Sequence, residues 1–455
     1  MFLSKKQGFS RIFLYQVMLL VLALFSLPLW VWALLFIPKL RAGFWQKCGF
    51  ISDSLKQKLL HLNRSQPVVW IHTVSVGELL AVKPLIHLIL EHHMTLVITT
   101  TTQTGQALAQ QDLGDKATIF YFPFDTFIAI PPLVKLIRPD LVMITETELW
   151  PYFLWYVGHR SATALYLING RISDASIKGY QKISFFLKPL LSLVDHAYMQ
   201  TQLDTQRFKS LLSPHAFNRV STLGNLKFDL PQGQANITKS QALKRLFNFP
   251  KQSLILTIAS THEGEEVLLL KMMYELCREF PELRFVLAPR HPERIPQVSK
   301  LLREETFRFR LRSSLHDNDL NTEKVILLDT IGEMKDIFAF SDLAIVAGSF
   351  LPHLGGHNIL EPIMMGTPVL FGSYMNNFRE ITHTVTHYNA GVQVHDMLEL
   401  KHRLVELMTN TTERERLTKM GFRMLADHQG QTTILLEAIL KQLHWNPIAS
   451  SDVLK

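Results

Sequence analysis

Cysteine is nearly absent from this chain: Cys48 and Cys277 are the only two in 455 residues. So sparse a pair excludes a disulfide framework and a cysteine metal site, and it suits a reducing compartment. No H-E-x-x-H pair, G-x-S-x-G elbow or Walker loop occurs, and the histidines are scattered. A metal site of that spacing, a serine nucleophile on such an elbow and a P-loop are therefore unsupported. Tandem repeats of short period and low-complexity segments are missing as well. Lys and Arg total 47 against 39 acidic residues, for a net charge of +8, but the basic residues form no arginine-rich arm. The balance favours an anionic partner, with anionic lipid and acidic sugar standing beside nucleic acid.

Charge is absent from Ile12 to Pro38. That run is long enough to cross a bilayer as a helix. It is too long for a signal-peptide core, and no small-residue cleavage site follows it. Pro28 can kink it, so an interfacial helix is the alternative to a spanning one. Lys5, Lys6 and Arg11 precede the run, whereas Lys39, Arg41, Lys47, Lys56 and Lys58 follow it. The larger basic count after the run places the main body on the cytoplasmic side.

What the rest of the chain has is alternation. Buried strands are expected at Val68–Thr73, Leu96–Thr100, Thr118–Phe122, Leu141–Thr145, Ala164–Ile168 and His196–Met199. Helical stretches lie between them, among them Leu79–Glu91, Ile128–Ile137, Ser184–Val194 and Asp204–Leu212. The polar segment Pro231–Ser240 reads as a linker. A second series follows, with strands at Leu254–Ile258, Arg284–Ala288, Val325–Leu328, Leu343–Ala347 and Pro368–Phe371. Strands alternating with helices imply parallel, doubly wound sheets. The fold class is thus α/β with two Rossmann-like domains, whose strand C-terminal ends are expected to face a ligand cleft. The expected bounds are a membrane anchor and juxtamembrane segment over 1–64, an N-terminal domain over 65–230 and a linker over 231–250. A C-terminal domain over 251–430 and a helix and tail over 431–455 complete the chain.

The stretch Leu343–Phe371 is the most organised. It runs strand, loop with Gly348, Gly355 and Gly356, helix near Asn358, then strand. Glycine amides and a helix start suit an anion such as a phosphate, and Glu361 can accept from a ribose. The plain alternative is a tight βα turn in any α/β domain. Other loops at the same strand ends carry chemistry-bearing residues. Glu78, in His72–Glu78, is either a helix-capping carboxylate or a general base. The acids of Glu146–Pro151 and the polar loop Asn169–Ser173 lie on the same edge, and Lys227 precedes the linker. In the second series Arg290 suits bidentate contact with phosphate or carboxylate, His291 reads as structural, and Gly332-Glu333-Met334 opens a helix. Asp317-Asn318-Asp319 looks like an acid pair for a metal but sits in an unpatterned polar loop.

With these loops assembled, the sequence resembles the bacterial 3-deoxy-D-manno-octulosonic acid (Kdo) transferases, inverting glycosyltransferases of GT-B fold in lipopolysaccharide assembly. The resemblance covers nearly the whole chain. It rests on HTVSVGE at His72–Glu78, ITETELWP at Ile144–Pro151, NGRIS at Asn169–Ser173, GNLKFD at Gly224–Asp229 and ASTHEGEE at Ala259–Glu266. PRHPER at Pro289–Arg294, DTIGEM at Asp329–Met334 and GGHNILEP at Gly355–Pro362 continue it. The resemblance implies that Glu78 is the general base and that Glu148 and Lys227 stabilise the transition state. It implies that Pro289, Arg290, Gly332, Glu333, Met334, Asn358, Ile359, Leu360 and Glu361 bind the cytidine nucleotide of the donor. The implied reaction moves Kdo from CMP-Kdo to a lipid A precursor of lipid IVA type, with inversion and release of CMP. No cofactor, metal or nucleic acid is implied, and the place of work is the cytoplasmic side of an anionic inner membrane. Other GT-B readings, an N-acetylglucosaminyltransferase or a nucleotide-sugar epimerase, are the alternatives, as is an inactive membrane scaffold. Two departures from the family pattern occur: Ala175 stands before Ser176 where an arginine is usual, and Ala347-Gly348 replaces a glycine pair.

Overall fold

The structure, a computed structural model, describes residues 5–37, 41–160, 162–229, 237–316 and 322–446. The Asp317-Asn318-Asp319 loop and residues 231–236 of the expected linker lie outside them. The chain divides into two compact units, residues 1–230 with 430–455, and residues 231–429.

The first unit is built on strands β1 (Val68–Thr73), β2 (Thr95–Thr100), β3 (Thr118–Tyr121), β4 (Leu141–Thr145), β5 (Ala164–Gly170), β6 (His196–Met199) and β7 (Val220–Thr222). Their order across the sheet is β3-β2-β1-β4-β5-β6-β7, every pairing parallel. Alternate residues of each strand face opposite layers. Trp70, Val97, Val142 and Ile144 join one core, while Val69, Ile71, Ile98 and Met143 join the other. Burial on both faces explains why the strands read as continuous apolar runs rather than as alternating ones. Helices supply the covering layers; in Ile130–Ile137 the buried positions Ile130, Leu133, Val134 and Ile137 recur at helical spacing. The strand order reverses between β1 and β4, where a sheet of this kind opens a crevice at the strand C-terminal ends.

The second unit repeats the plan with β8 (Ile255–Thr261), β9 (Arg284–Pro289), β10 (Phe309–Leu311), β11 (Val325–Leu327), β12 (Leu343–Val346), β13 (Val369–Phe371) and β14 (Val392–Gln393). The order is β10-β11-β9-β8-β12-β13-β14, again all parallel. Its reversal falls between β8 and β12. Two Rossmann-like units of this kind are what the GT-B expectation calls for.

Two stretches differ from the expected bounds. Within the span expected as a linker, Ile237–Phe247 is a helix whose Leu243 and Phe247 are buried in the second unit's core. At the other end, Gln431–Leu443 is a helix of the first unit, with Leu435, Leu436 and Ile439 packed in the core that Val82 and Leu85 also fill. Asp229 fixes its start. The carboxylate accepts from the Gly430 amide at 2.8 Å, the Thr432 hydroxyl at 2.5 Å and the Thr432 amide. That role accounts for the aspartate of the Gly224–Asp229 motif.

The helix Lys5–Phe36 contains an apolar span, Ser10–Phe36, long enough to cross a membrane. Its first turns are nevertheless held by the first unit. Ile12 and Gln16 are buried, the Gln16 amide donates to the Asp125 carbonyl at 2.9 Å, and the Phe127 amide donates to Gln16 at 2.9 Å.

Candidate functional site

In the first unit the polar residues gather at the C-terminal ends of β1, β4 and β5. Ser75 caps the helix Val76–Glu91, and Glu78 lies in its first turn, 7% exposed. The Glu78 carboxylate accepts three hydrogen bonds: from the Val74 amide at 2.8 Å, the Ser75 hydroxyl at 3.0 Å and the Thr145 hydroxyl at 2.7 Å. The capping reading of Glu78 is therefore physically present. Two oxygens offer about four acceptor sites, so capping does not exhaust the group.

Glu146 follows β4 with φ of 52°, a left-handed backbone that a glutamate adopts at some cost. Burial pushes its carboxyl up; Lys227 and Arg171 oppose that shift and the Glu78 charge adds to it. Glu148, two residues on, is pushed up to about 6, first by burial and then by the charges of Glu78 and Glu146. Lys227 reaches this group from the short turn Leu226–Asp229. That turn is anchored by Asn169, whose side-chain oxygen accepts the Leu226 amide at 3.1 Å and whose φ is 54°. The motifs Asn169–Ser173 and Gly224–Asp229 thus meet through one hydrogen bond. Glu78, Glu148 and Lys227, which the resemblance singles out, share one neighbourhood, and Glu146 stands among them.

His72 lies within β1 rather than in the loop after it. Its ring is fully buried, stacks on Phe122 at 3.9 Å, and is held neutral by burial, with a pKa of about 3. It is a packing group.

In the second unit several amides of the loop after β12 are already engaged within the protein. The amides of Gly348 and Phe350 donate to the two oxygens of Glu265, at 2.8 and 3.0 Å, and the Gly356 amide donates to the Gly348 carbonyl at 2.8 Å. Glu265 is completely buried. The glycines serve close packing. A Cβ on Gly348 would come within 2.3 Å of the His357 ring, one on Gly355 within 2.4 Å of the Asn377 amide, and one on Gly356 within 2.5 Å of the Met375 sulfur. The helix after the loop, expected to begin near Asn358, is the short Leu360–Met364, and the Asn358 side chain accepts the Leu360 amide at 3.2 Å. The Leu360 amide at this helix start is thus engaged within the protein.

The same edge carries side-chain chemistry. Arg290 is exposed, its backbone amide tied to the Thr261 carbonyl at 3.0 Å. Glu361 has its carboxyl pushed up by burial, against the pull of Lys335, Asn358 and Arg290. Asn358 donates to it at 3.3 Å. Ile359 and Leu360 are buried, and Pro289 ends β9 beside Arg290. Arg290 and the Asn358–Glu361 segment are therefore neighbours. Gly332 is exposed with φ of 85°, while Glu333 pairs with Arg312 at 2.8 Å and so is engaged within the protein. Met334 begins the helix Met334–Phe338.

Sequence reasoning passed over Thr145, Glu265 and the rings of His262 and His357. Thr145 ends a strand and Glu265 starts a helix, positions where a hydroxyl or an acid looks ordinary. Only the fold shows that each binds a distant loop. Among the described residues no group of three or more His, Cys, Asp or Glu is arranged to hold a metal ion.

Residues 43–230 match the family described as 3-deoxy-D-manno-octulosonic-acid transferase (kdotransferase). A 3-deoxy-D-manno-octulosonic acid transferase of Haemophilus influenzae is 32% identical over 381 residues, 83% of this chain and 88% of the relative. One of Chlamydia pneumoniae is 27% identical over 420 residues, covering 91% and 93%. Among solved structures, the UDP-GlcNAc 2-epimerase of Neisseria meningitidis bound to UDP-GlcNAc is similar with a TM-score of 0.59 at 15% identity, over 83% of this chain and all of that one. A glycosyltransferase of Rickettsia africae gives 0.57 at 12% identity, over 83% and 99%. Likeness at so low an identity speaks for the fold alone, whereas the sequence match to the Haemophilus influenzae enzyme, running through both units, shows that the chain belongs to the 3-deoxy-D-manno-octulosonic acid transferase family.

Proposed function

We propose that the chain transfers Kdo from CMP-Kdo to a lipid A precursor of lipid IVA type, with inversion at the anomeric carbon and release of CMP. The observation that carries this reading is the 32% identity to a Kdo transferase across 83% of the chain. The first unit supplies the acceptor chemistry. Glu78, held by its three hydrogen bonds, takes the proton of an acceptor hydroxyl, and the oxygen attacks the anomeric carbon on the face opposite the departing CMP. Lys227 and Glu148 meet the charge that develops in the transition state. The second unit binds the donor nucleotide through Pro289, Arg290, Gly332, Glu333, Met334 and Asn358–Glu361. Fixed charges can stabilise the leaving phosphate without a bound metal, and the reaction is proposed as metal-independent. The apolar helix and the basic chain suit work at the cytoplasmic face of an anionic inner membrane.

Mass spectrometry of the product formed from CMP-Kdo and a defined lipid acceptor tests the reading; an acceptor heavier by one or more Kdo residues is expected. A thermal-shift screen of nucleotides checks the donor class. Stabilisation by UDP in preference to CMP would sink the Kdo assignment in favour of a UDP-sugar enzyme.

A further inference from the structure

Glu265 takes the amides of Gly348 and Phe350, which leaves side chains as one source of positive charge for an anionic ligand in the second unit. Around Arg290 the fold collects imidazoles from separate motifs. The rings of His262 and His357 stack at 4.9 Å with 10° between their planes, and the His291 ring stands edge-on to His262 at 5.5 Å. Gly348 seats the inner ring, since any larger residue there would strike His357. Nδ1 of His262 lies 3.0 Å from the Ser260 carbonyl. A carbonyl only accepts, so this nitrogen carries the hydrogen, and in the neutral ring Nε2 presents a lone pair. A lone pair repels an anion. The ring becomes a donor on that side only by taking up a proton.

We propose that His262, His291 and Arg290, with His357 as the ring that fixes the plane of His262, form an anion subsite for a nucleoside phosphodiester. Nε2 of His262 takes a proton from solvent as the phosphate binds. This deepens the donor reading above and rests on it. Before the anion arrives, the surroundings oppose that proton. The His262 pKa is lowered chiefly by burial, with His291 and Arg290 adding to the effect, and Glu265 and the Ser260 carbonyl opposing it. His357 is pushed down to about 4 by burial, then by His262, Arg290 and His291. Other charged groups beside the cluster include Glu293, 4.0 Å from His291, and Glu361, which interacts with Arg290. An arriving phosphate reverses the balance: it screens Arg290 and pairs with the new imidazolium.

The sign follows. A histidine whose pKa rises on binding makes affinity increase as pH falls toward the pKa of the free protein. A site made of Arg290 alone would be flat in this range. The probe is the methyl ester of CMP, whose single phosphate charge does not titrate between pH 6 and 8, compared with cytidine by calorimetry on the full-length protein. Affinity for the ester is expected to rise about tenfold from pH 8 to 6, and that for cytidine to stay constant, one linked proton over about one unit giving that factor. His262→Gln is expected to lose most of the gain at pH 6 and little at pH 8. His291→Gln, at an exposed position that leaves the fold intact, is expected to lower the gain partly. A flat profile in the wild type, or a full slope in His262→Gln, would overturn the subsite. If the uridine ester is preferred but shows the same slope and the same loss, the subsite stands and the cytidine donor falls. If no ester binds, both fall.

Discussion

The hydroxyl of Thr145 lies 2.7 Å from Oε2 of Glu78 and 2.9 Å from the carbonyl oxygen of His72. The end of β4 thereby sets where the acid of the β1 loop points. Thr145→Val keeps the shape of the side chain and removes the donor. Loss of one bond to a charged, buried acceptor is expected to cost about 1.5–3 kcal/mol of stability. Transfer is expected to fall about tenfold while CMP affinity is unchanged, since the residues proposed to bind the nucleotide belong to the other unit. Thr145→Ser, which keeps the hydroxyl, should restore most of the rate. Urea melts and initial rates on the three proteins check this.

Glu78 both caps a helix and is proposed as the base, and the two roles make different demands on a variant. Glu78→Gln retains an acceptor oxygen for the cap, so its stability cost is expected to stay near 1 kcal/mol, the usual worth of a cap interaction. Loss of a general base is expected to lower turnover about 10²–10⁴-fold with CMP binding retained. A variant that melts early yet turns over at nearly the wild-type rate would leave Glu78 as a cap and nothing more.

Much of this was readable from residue order, and the reasons for the rest are specific. Both sheets followed from apolar runs such as Val68–Thr73 and Leu343–Val346, because strands buried on both faces need no alternation. The strands Val220–Thr222, Phe309–Leu311 and Val392–Gln393 went unseen because two or three residues at a sheet edge carry no periodic signal. The return of Gln431–Leu443 to the first unit depends on Asp229, some two hundred residues earlier in the chain. Motif resemblance singled out Glu78, Glu148 and Lys227, and the fold brings the three into one neighbourhood. The hold of Glu265 on the glycine loop was not legible, since Glu265 reads like any acid in the first turn of a helix.

Glu148 gives a pH dependence whose direction can be worked out. Its folded pKa of about 6 lies above the usual carboxylate value, through burial and the charges of Glu78 and Glu146. The folded state therefore holds this proton more tightly than the unfolded chain does. Glu148 costs nothing below the unfolded pKa near 4.5, and the penalty grows as pH rises through about 6. Glu148→Gln is expected to raise stability above pH 6 by up to about 1 kcal/mol, the group being partly open to solvent screening, and to leave it unchanged at pH 4. Thermal melts across that range decide it. Because the same carboxyl is proposed to act in transfer, the stabilised variant is expected to be slower.

Glu265 is completely buried and holds both Gly348 and Phe350. Glu265→Ala would leave the buried Gly348 amide and the half-buried Phe350 amide without acceptors, and the loss of a buried one costs about 1–3 kcal/mol. The expected result is a second unit destabilised by several kcal/mol and weakened CMP binding, as His357 loses the seat that Gly348 provides. Glu265→Gln, with one acceptor oxygen in place of two, should fall between. Hydrogen exchange at the Gly348 and Phe350 amides reads the effect directly, faster in both variants than in the wild type.

The apolar helix is tied to the first unit at its beginning, and this bears on how the protein meets a bilayer. Gln16 exchanges hydrogen bonds with Asp125 and Phe127, Tyr15 donates to the Asp125 carboxylate at 3.1 Å, and further along the helix the Trp30 ring lies 6.1 Å from that of Phe124. Contacts at both Gln16 and Trp30 mean that the helix runs along the unit. Trp45, Phe50, Phe127 and Ile128 are exposed on residues of the same unit. Membrane attachment is then expected to have two parts, the helix and these side chains. Deleting residues 1–37 should weaken flotation with anionic vesicles without abolishing it at low salt, and the remainder should fade as salt screens the basic residues. Replacing Trp45, Phe50 and Phe127 by serine in the shortened protein is expected to remove what is left; flotation of the shortened protein unchanged by these replacements would show that the side chains carry none of the attachment.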